Sequence, residues 1–175
     1  MITKSIKEQV MEYFFVNPTA KLRVRQLSRV VKVPLPSAIR YAKELEKEGI
    51  LNSSEIAGVK FYSASRSSPV FLLEKKLFNI RSLLVLKDVL VKEFSNPTIV
   101  VFGSYSKGED IERSDVDIFI ESPSKKQVEL PSMEKSLNRT IQFFRYKSIH
   151  DIKNKELANN IVNGIILNGY LKVFT

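Results

Sequence analysis

The stretch Val100-Val-Phe-Gly-Ser-Tyr-Ser-Lys-Gly-Glu-Asp-Ile-Glu-Arg-Ser-Asp-Val-Asp-Ile-Phe-Ile-Glu121 decides the fold of the carboxyl-terminal half of this 175-residue chain. It continues an apolar run that begins at Thr98, and an unbroken run of this kind is typical of a strand buried on both faces. Gly103 permits a sharp bend and a close approach to a ligand. A second apolar run follows Asp115. We therefore predict two strands joined through a tight bend and a polar loop.

Two carboxylates stand at the start of the second strand, Asp115 and Asp117. Side chains alternate along a strand, so both should lie on one face with their backbones roughly 7 Å apart. Carboxylates at that distance can coordinate Mg²⁺, which also binds phosphate oxygens. Ser104 begins a short helix or turn whose free amide hydrogens suit a phosphate. The stretch predicts a site for a nucleoside triphosphate and its metal; the alternative is a Gly-Ser turn and an aspartate-rich loop, both merely at the surface.

These four residues, Gly103, Ser104, Asp115 and Asp117, carry a resemblance to the nucleotidyltransferase superfamily that includes DNA polymerase beta. Within it, the sequence is most similar to the minimal nucleotidyltransferases, over approximately residues 96–175. The resemblance implies an α/β (α+β) fold with a mixed sheet and flanking helices. It also implies two Mg²⁺ ions as cofactors and transfer of a nucleotidyl group, AMP from ATP by expectation, to an acceptor.

The same resemblance implies a role for each of these residues. Asp115 and Asp117 would be the metal-binding and catalytic residues, and Gly103 and Ser104 would bind the nucleotide. Lys107 lies where family members usually have a basic residue, so it could contact the triphosphate; a lysine in a polar turn can equally be only solvated.

The sequence departs from the family pattern at the third carboxylate, which a later strand normally supplies. The candidate strand is Arg139–Tyr146, and its expected acid position is Gln142. An amide oxygen can touch a metal, but it carries no charge and cannot act as a general base. Glu121, Glu129 and Glu134 are alternative acids. Catalysis is therefore less firmly predicted than nucleotide binding.

Basic charge is concentrated in the other half of the chain. Residues 1–97 hold seventeen Lys and Arg against nine Asp and Glu, a net charge of +8, while residues 98–175 hold eleven against ten. The segment from Lys21 to Lys47 alone carries eight basic and two acidic residues. Such clustering suits a polyanion such as nucleic acid, although a charge run can also be an ordinary solvated face.

Helical spacing and turn residues predict a winged helix-turn-helix over residues 1–66. A first helix carries Ile6, Val10 and Phe14 and stops near Asn17, and a second carries Val24 to Val31. A third helix has Pro36 in its first turn, and Gly49 ends it. We expect its buried face to hold Ile39, Ala42 and Leu45, and a wing to follow with strands Ile50–Ile56 and Val59–Ser63 around Ala57-Gly58.

The segment Leu22–Tyr62 resembles winged-helix transcriptional regulators, including its helix ending Leu45-Glu-Lys-Glu-Gly-Ile50. The resemblance implies binding of double-stranded DNA, with the third helix in the major groove and the wing near phosphate. The implied DNA-binding residues are Ser37, Arg40, Tyr41, Lys43 and Lys60. The alternative is that the domain binds protein or serves as a scaffold.

A serine-rich segment, residues 63–69, separates this domain from a nucleotidyltransferase-like domain over residues 67–175, which includes connecting helices over residues 70–94. Those helices carry a stripe at heptad spacing: Leu73, Leu77, Ile80 and Leu84. We expect most of it to be core, although it could also pair with its copy in a homodimer. Near the end of the chain, we expect a helix over Glu156–Leu167 and a last strand over Tyr170–Phe174.

Composition excludes several classes of site and of protein. The chain has no cysteine, which excludes disulfides and zinc–thiolate sites. It shows no signal peptide and no apolar run long enough to cross a bilayer, so we expect a cytoplasmic protein without a membrane partner. Two functions remain: a nucleotidyltransferase, whose acceptor could be a toxin of the HEPN class because some minimal nucleotidyltransferases modify one, or a DNA-binding regulator whose degenerate second domain only binds nucleotide or a partner protein.

Overall fold

The computed structural model describes residues 4–124, 126 and 128–174. Its contacts divide the chain into two compact units, Met1–Phe78 and Asn79–Thr175, which we call the amino-terminal and carboxyl-terminal units. The sequence places a domain boundary between residues 66 and 67, and that boundary stays a prediction. Residues 1 and 175, the outer ends of the two predicted domains, lie outside the described residues.

The amino-terminal unit combines helices with a small antiparallel sheet of strand order β1-β3-β2. Ser5 begins the first helix with a capping box, in which its hydroxyl accepts from the Glu8 N–H while the Glu8 carboxylate accepts from the Ser5 N–H. The bounds are α1 Ile6–Val16, β1 Lys21–Leu22, α2 Val24–Val31, α3 Leu35–Lys47, β2 Leu51–Ile56, β3 Val59–Ala64 and α4 Pro69–Ser82, which continues past Phe78 into the next unit.

The third helix, α3, has a different buried face from the one we predicted. Ala38, Ala42 and Leu45 are fully buried, whereas Ile39 is 38% exposed. Consecutive residues of a helix are turned by about 100°, so the burial of Ala38 rotates Ile39 away from the core. Ala42 and Leu45 lie where the sequence predicted, and Ile39 does not.

A two-residue turn joins strands β2 and β3. Ile56 pairs with Val59, and the two residues between them, Ala57 and Gly58, have φ angles of +48° and +73°. Two positive φ values are the mark of a type I′ turn, whose twist matches that of the strands it joins. The predicted wing-like hairpin is therefore present.

The carboxyl-terminal unit is built on a four-stranded mixed sheet of order β6-β5-β4-β7. Strand β5 runs parallel to β6 and antiparallel to β4, and β4 is also antiparallel to β7. This arrangement confirms the predicted α/β class with a mixed sheet and flanking helices. The bounds are α5 Leu84–Glu93, β4 Thr98–Phe102, α6 Gly103–Lys107, β5 Val116–Glu121, α7 Pro131–Leu137, β6 Ile141–Tyr146, a 3-10 helix Ile149–Asp151, α8 Lys155–Val162 and β7 Ile165–Asn168.

Both faces of this sheet are covered, as the unbroken apolar run of β4 predicts. Ile99 and Val101 pack on one face with Ile118 of β5. Val100 and Phe102 pack on the other face with residues that include Phe119 and Ile161. Alternation along β5 therefore places Asp117 on the Phe119 face, at the end of the strand where β4 leads into α6.

The end of the chain differs from the prediction. Helix α8 stops at Val162, and the next strand is Ile165–Asn168 rather than Tyr170–Phe174. Gly164 follows the end of the helix and lets the chain approach β4 closely, because a Cβ there would lie 2.6 Å from Val100 Cγ1 and 2.7 Å from the Val101 carbonyl oxygen. The chain turns at this close contact and pairs with β4, so the second half of the apolar run forms a strand.

The predicted apolar stripe on α4 and α5 is also wrong as a core assignment. Leu73, Leu77 and Leu84 are exposed, whereas Leu86 and Leu90 are buried. On α5, Leu86 and Leu90 share one buried face, and Leu84 lies two residues before Leu86, on the other side of the helix.

Candidate functional site

The paired aspartates interact with each other. Asp115 is exposed just before β5, and Asp117 is half-buried as the second residue of that strand. Burial raises the pKa of Asp117 above its ordinary value, and the negative charge of Asp115 raises it further. The two carboxylates are thus close enough to repel each other, and a cation between them would relieve that repulsion.

The Gly-Ser bend meets the same carboxylate. Phe102 pairs with Asp117 in the sheet, which brings the next residue, Gly103, beside the Asp117 side chain. A Cβ on Gly103 would lie 2.4 Å from Asp117 Oδ2, and its φ is +70°, in the region that favours glycine. Only glycine therefore fits here without displacing the aspartate.

Helix α6 follows this contact directly. Ser104 is half-buried in its first turn, where backbone amides have no intrahelical acceptor, and Lys107 is exposed in its last turn. The Ser106 hydroxyl donates to the Gly103 carbonyl at 2.9 Å. The structure therefore brings Gly103 into contact with Asp117 and places Ser104 next along the chain, and Lys107 follows one turn later.

A buried cluster of polar side chains is hydrogen-bonded to α6 and to the loop that follows it. Our sequence-based predictions did not include this cluster. The Asn79 amide donates to the Tyr105 carbonyl and to Asp110 Oδ1, both at 2.8 Å. Arg139 lies 3.6 Å from Asp110, with side chains only 3% and 1% exposed. The Tyr105 hydroxyl lies 2.9 Å from Ser82 Oγ, and burial raises its pKa. Isolated polar residues in helical and loop segments carry no periodic signal, so only the structure identifies them.

Gln142 occupies the position predicted for the third carboxylate. It is paired in register with Asp117 on the neighbouring parallel strand, where backbones lie about 4.8 Å apart. Residues in register share a face, so the amide lies on the Asp117 side of the sheet. The neighbour of Asp117 on β6 is thus neutral.

Glu121 and Glu129 lie away from the aspartate pair, and Glu134 is hydrogen-bonded to the backbone of β6. Glu121 lies four residues along the strand from Asp117, roughly 13 Å away, with buried Phe119 between them. Glu134 accepts from the Ile141 N–H at 2.9 Å. Glu129 lines a different cavity, of about 230 Å³, with Phe94 and Ile120 among its other walls. Among residues 4–124, 126 and 128–174, no three acidic or histidine side chains are grouped as metal ligands.

Space for a ligand adjoins Asp115. A cavity of about 340 Å³ is lined by Asp115, Arg113, Glu134 and Thr140, among other polar residues. Asp115 is the one predicted site residue among its described walls, which do not include Gly103, Ser104 or Asp117. Mg²⁺ is commonly held by one or two carboxylates and completed by substrate phosphates and water. The interacting pair Asp115 and Asp117 fits that donor set, provided that a triphosphate supplies the remaining oxygens.

The residues predicted to bind DNA lie on and beside α3. Arg40 and Lys43 are exposed, whereas Ser37 and Tyr41 are half-buried. The Arg40 guanidinium lies 4.4 Å from the Tyr41 ring centroid and donates to the Tyr41 hydroxyl. Lys60 Nζ lies 2.8 Å from Glu46 Oε2, and this hydrogen bond raises the pKa of Lys60 and lowers that of Glu46. Lys60 of β3 is thus already paired with a carboxylate of α3.

A second group of basic side chains lies beside the small sheet of the amino-terminal unit. Our sequence-based predictions of DNA-binding residues did not include it. Lys21 Nζ and the Arg23 guanidinium lie 5.8 and 5.2 Å from the centroid of the Phe61 ring. Alternation along β3 places Phe61 on the face opposite buried Tyr62. The positions of Lys21 and Phe61 in the sequence do not predict that the two residues are close, because the strand pairing alone brings them together.

Comparison with known proteins agrees with this geometry. Residues 84–165 match the family model of the nucleotidyltransferase domain, and nucleotidyl transfer in general is the activity that this match supports. Such domains generally use a nucleoside triphosphate and a divalent metal. A solved structure named "Possible transcriptional regulator", from Methanosarcina mazei Go1, is similar at 21% identity with a TM-score of 0.36, over 54% of this chain and 81% of that one. A search of curated proteins found no match.

No helix in the described part of the chain is long and apolar enough to cross a membrane.

Proposed function

We propose that the carboxyl-terminal unit binds Mg²⁺-ATP and transfers AMP to an acceptor hydroxyl. The observation that carries this proposal is the contact of Gly103 with Asp117, beside a second carboxylate, Asp115. The three phosphates would lie along the start of α6, with Ser104 and Lys107 as further contacts. Mg²⁺ held by Asp115 and Asp117 would neutralise charge on the phosphates.

The reaction is a substitution at the α-phosphorus. The acceptor oxygen forms a bond to that phosphorus, the bond to the oxygen bridging to the β-phosphate breaks, and pyrophosphate leaves. The acceptor loses its proton to solvent water, because a neutral Gln142 cannot take it. The residues of this chain therefore bind and orient the triphosphate, and the slow step is expected to be proton removal.

The position of the label distinguishes this reaction from others. The full chain is incubated with Mg²⁺, a cell lysate and ATP labelled in either the α- or the γ-phosphate. We expect an acceptor labelled from α-labelled ATP only, and no label with Asp117→Asn. Asp88→Asn, a matched change on an exposed side chain of α5, should label normally. Label from the γ-phosphate would show phosphoryl transfer instead and contradict the proposal.

We further propose that the amino-terminal unit is a winged helix-turn-helix that binds double-stranded DNA. Its element order, α1-β1-α2-α3-β2-β3, supports this proposal, as do the exposed Arg40 and Lys43 on α3. Ser37, Tyr41 and Lys60 remain proposed contacts. A gel-shift titration of the full chain against duplex DNA tests it, with binding expected to weaken steeply with salt.

A second candidate function is a DNA-binding regulator whose nucleotidyltransferase domain binds nucleotide without turnover. The neutral Gln142 beside Asp117 favours it. Gln142→Glu, a change of nearly equal shape, separates the two candidates. A slow enzyme should accelerate, because the new carboxylate can accept the proton. A pure sensor should bind Mg²⁺-ATP and label nothing in either form.

Identifying the labelled acceptor would identify the partner of this chain. A protein of the HEPN toxin class is the one that the family resemblance suggests, and labelled protein in the lysate would identify it by mass spectrometry. Pairing of two chains through the exposed Leu73 and Leu77 remains a proposal that sedimentation of the full chain would test.

A further inference from the structure

The exposed face of α3 contains one large apolar side chain among cations. Pro36, Ile39, Arg40 and Lys43 are all exposed, and their spacing of three and four residues places them along one side of the helix. Ile39 belongs to no core cluster of the amino-terminal unit and is the one large apolar side chain of α3 that is exposed. An apolar group at the centre of a basic helix face is what a DNA-reading surface needs at a thymine.

The neighbours of Ile39 leave it accessible. Arg40 is held over the ring of Tyr41, with its guanidinium 4.4 Å from the centroid and 3.9 Å from Glu44 Oε1. Lys43 follows Ile39 by one turn and is itself exposed. Ile39 is β-branched, so its side chain is stiff and loses little freedom when it meets a surface.

We propose that Ile39 contacts the 5-methyl group of a thymine in the major groove and thereby sets the sequence preference of the amino-terminal unit. Thymine is the base that presents a methyl group there, and apolar side chains recognise it by contact. Ile39 is the fifth residue of α3, within the amino-terminal half of the helix, which is the part of a recognition helix that reaches base edges. This inference rests on the DNA-binding function proposed above.

The expected effect is small and specific. Burial of one methyl-sized group corresponds to about a fourfold change in affinity. Replacing the contacted thymine with uracil removes that methyl and leaves the base pair and the phosphates unchanged. Other DNA contacts, including those proposed for Arg40 and Lys43, would therefore be unaffected.

The test uses the full chain and duplex DNA selected by it from a random-sequence library. Each thymine of the selected duplex is replaced in turn by uracil, and dissociation constants are measured by fluorescence anisotropy. Wild type should lose about fourfold in affinity when the contacted thymine is replaced. Ile39→Ala should bind the thymine and uracil duplexes equally, while Ile39→Val, which keeps the branched methyl groups, should retain the preference. Val85→Ala, an exposed valine of α5, is the matched control and should behave as wild type.

Two results would overturn the inference while leaving DNA binding intact. One is a wild-type affinity that no uracil replacement changes, and the other is an Ile39→Ala variant that keeps the wild-type preference for thymine. Failure to select any duplex would be a different result, because it would remove the DNA-binding proposal and this inference together.

Discussion

At the scale of single residues, the site depends on the contact between a glycine and an aspartate. Gly103 and Asp117 were both predictable, because a glycine after a buried strand and alternating aspartates in the next strand each have a direct physical meaning. Their contact follows from the pairing of Phe102 with Asp117. Asn79, Asp110 and Arg139 were not predictable, since a buried polar cluster is assembled from distant positions without any spacing rule.

Gly103→Ala should abolish nucleotide binding. Its Cβ would lie 2.4 Å from Asp117 Oδ2, so the carboxylate must move. The positive φ adds a cost of about 1–2 kcal/mol to the free energy of folding. Calorimetric titration with Mg²⁺-ATP and chemical denaturation measure the two effects. Gly58→Ala is the control, since its Cβ would meet nothing within 4 Å at a similar φ; it should lose stability and keep nucleotide binding. Normal binding by Gly103→Ala would contradict the site.

Asp117 should make the metal-free protein less stable as pH rises. Its pKa in the folded state is raised, so between its ordinary value, about 3.9, and the raised value the folded protein holds more protons than the unfolded chain. The free energy of unfolding therefore falls as pH increases through this window. Denaturation in a chelator, followed from about pH 4 upward, should show a shallower decline for Asp117→Asn. An equal decline in both proteins would show that Asp117 is not the titrating group.

At the scale of elements, the described structure shows which sequence patterns predicted helices, turns and strands correctly and which did not. The helix ending at Asn17 and the hairpin turning at Ala57-Gly58 were predictable, because a cap and a turn act locally. The buried face of α3 differs from the predicted one, because Ala38 faces the core and Ile39 does not. A short apolar side chain such as Ala38 can face the core as well as a branched one, so the apolar pattern did not decide between them. The strand after Gly164 was misread as helix, since a short apolar run fits both.

The ion pair between Lys60 of β3 and Glu46 of α3 predicts different effects for substitutions of two lysines. Lys43→Ala should reduce the slope of log affinity against log salt by about 0.9, the value for one phosphate contact. Lys60→Ala should reduce it less, because Glu46 already lies 2.8 Å from Lys60 Nζ. Duplex binding measured over a range of salt concentrations gives both slopes. An equal reduction for the two variants would mean that DNA draws Lys60 away from Glu46.

At the scale of the whole molecule, charge and chemistry are divided between the two halves of the chain. Residues 1–97 carry a net charge of +8, which favours a polyanion partner, and residues 98–175 are nearly balanced. The nucleotidyltransferase match covers residues 84–165, and that range includes both aspartates and Gln142. The amino-terminal charge was evident from composition, whereas the neutral neighbour of Asp117 required the strand register.

Binding of Mg²⁺ and a non-reacting ATP analogue, measured by isothermal titration calorimetry, tests the central claim most directly. The analogue has a methylene group between its α- and β-phosphates, so transfer cannot occur and binding alone is measured. We predict saturable, Mg²⁺-dependent binding by wild type and by Asp88→Asn, and none by Asp117→Asn. Binding by Asp117→Asn at wild-type affinity would contradict the account, because the nucleotide would then lie elsewhere.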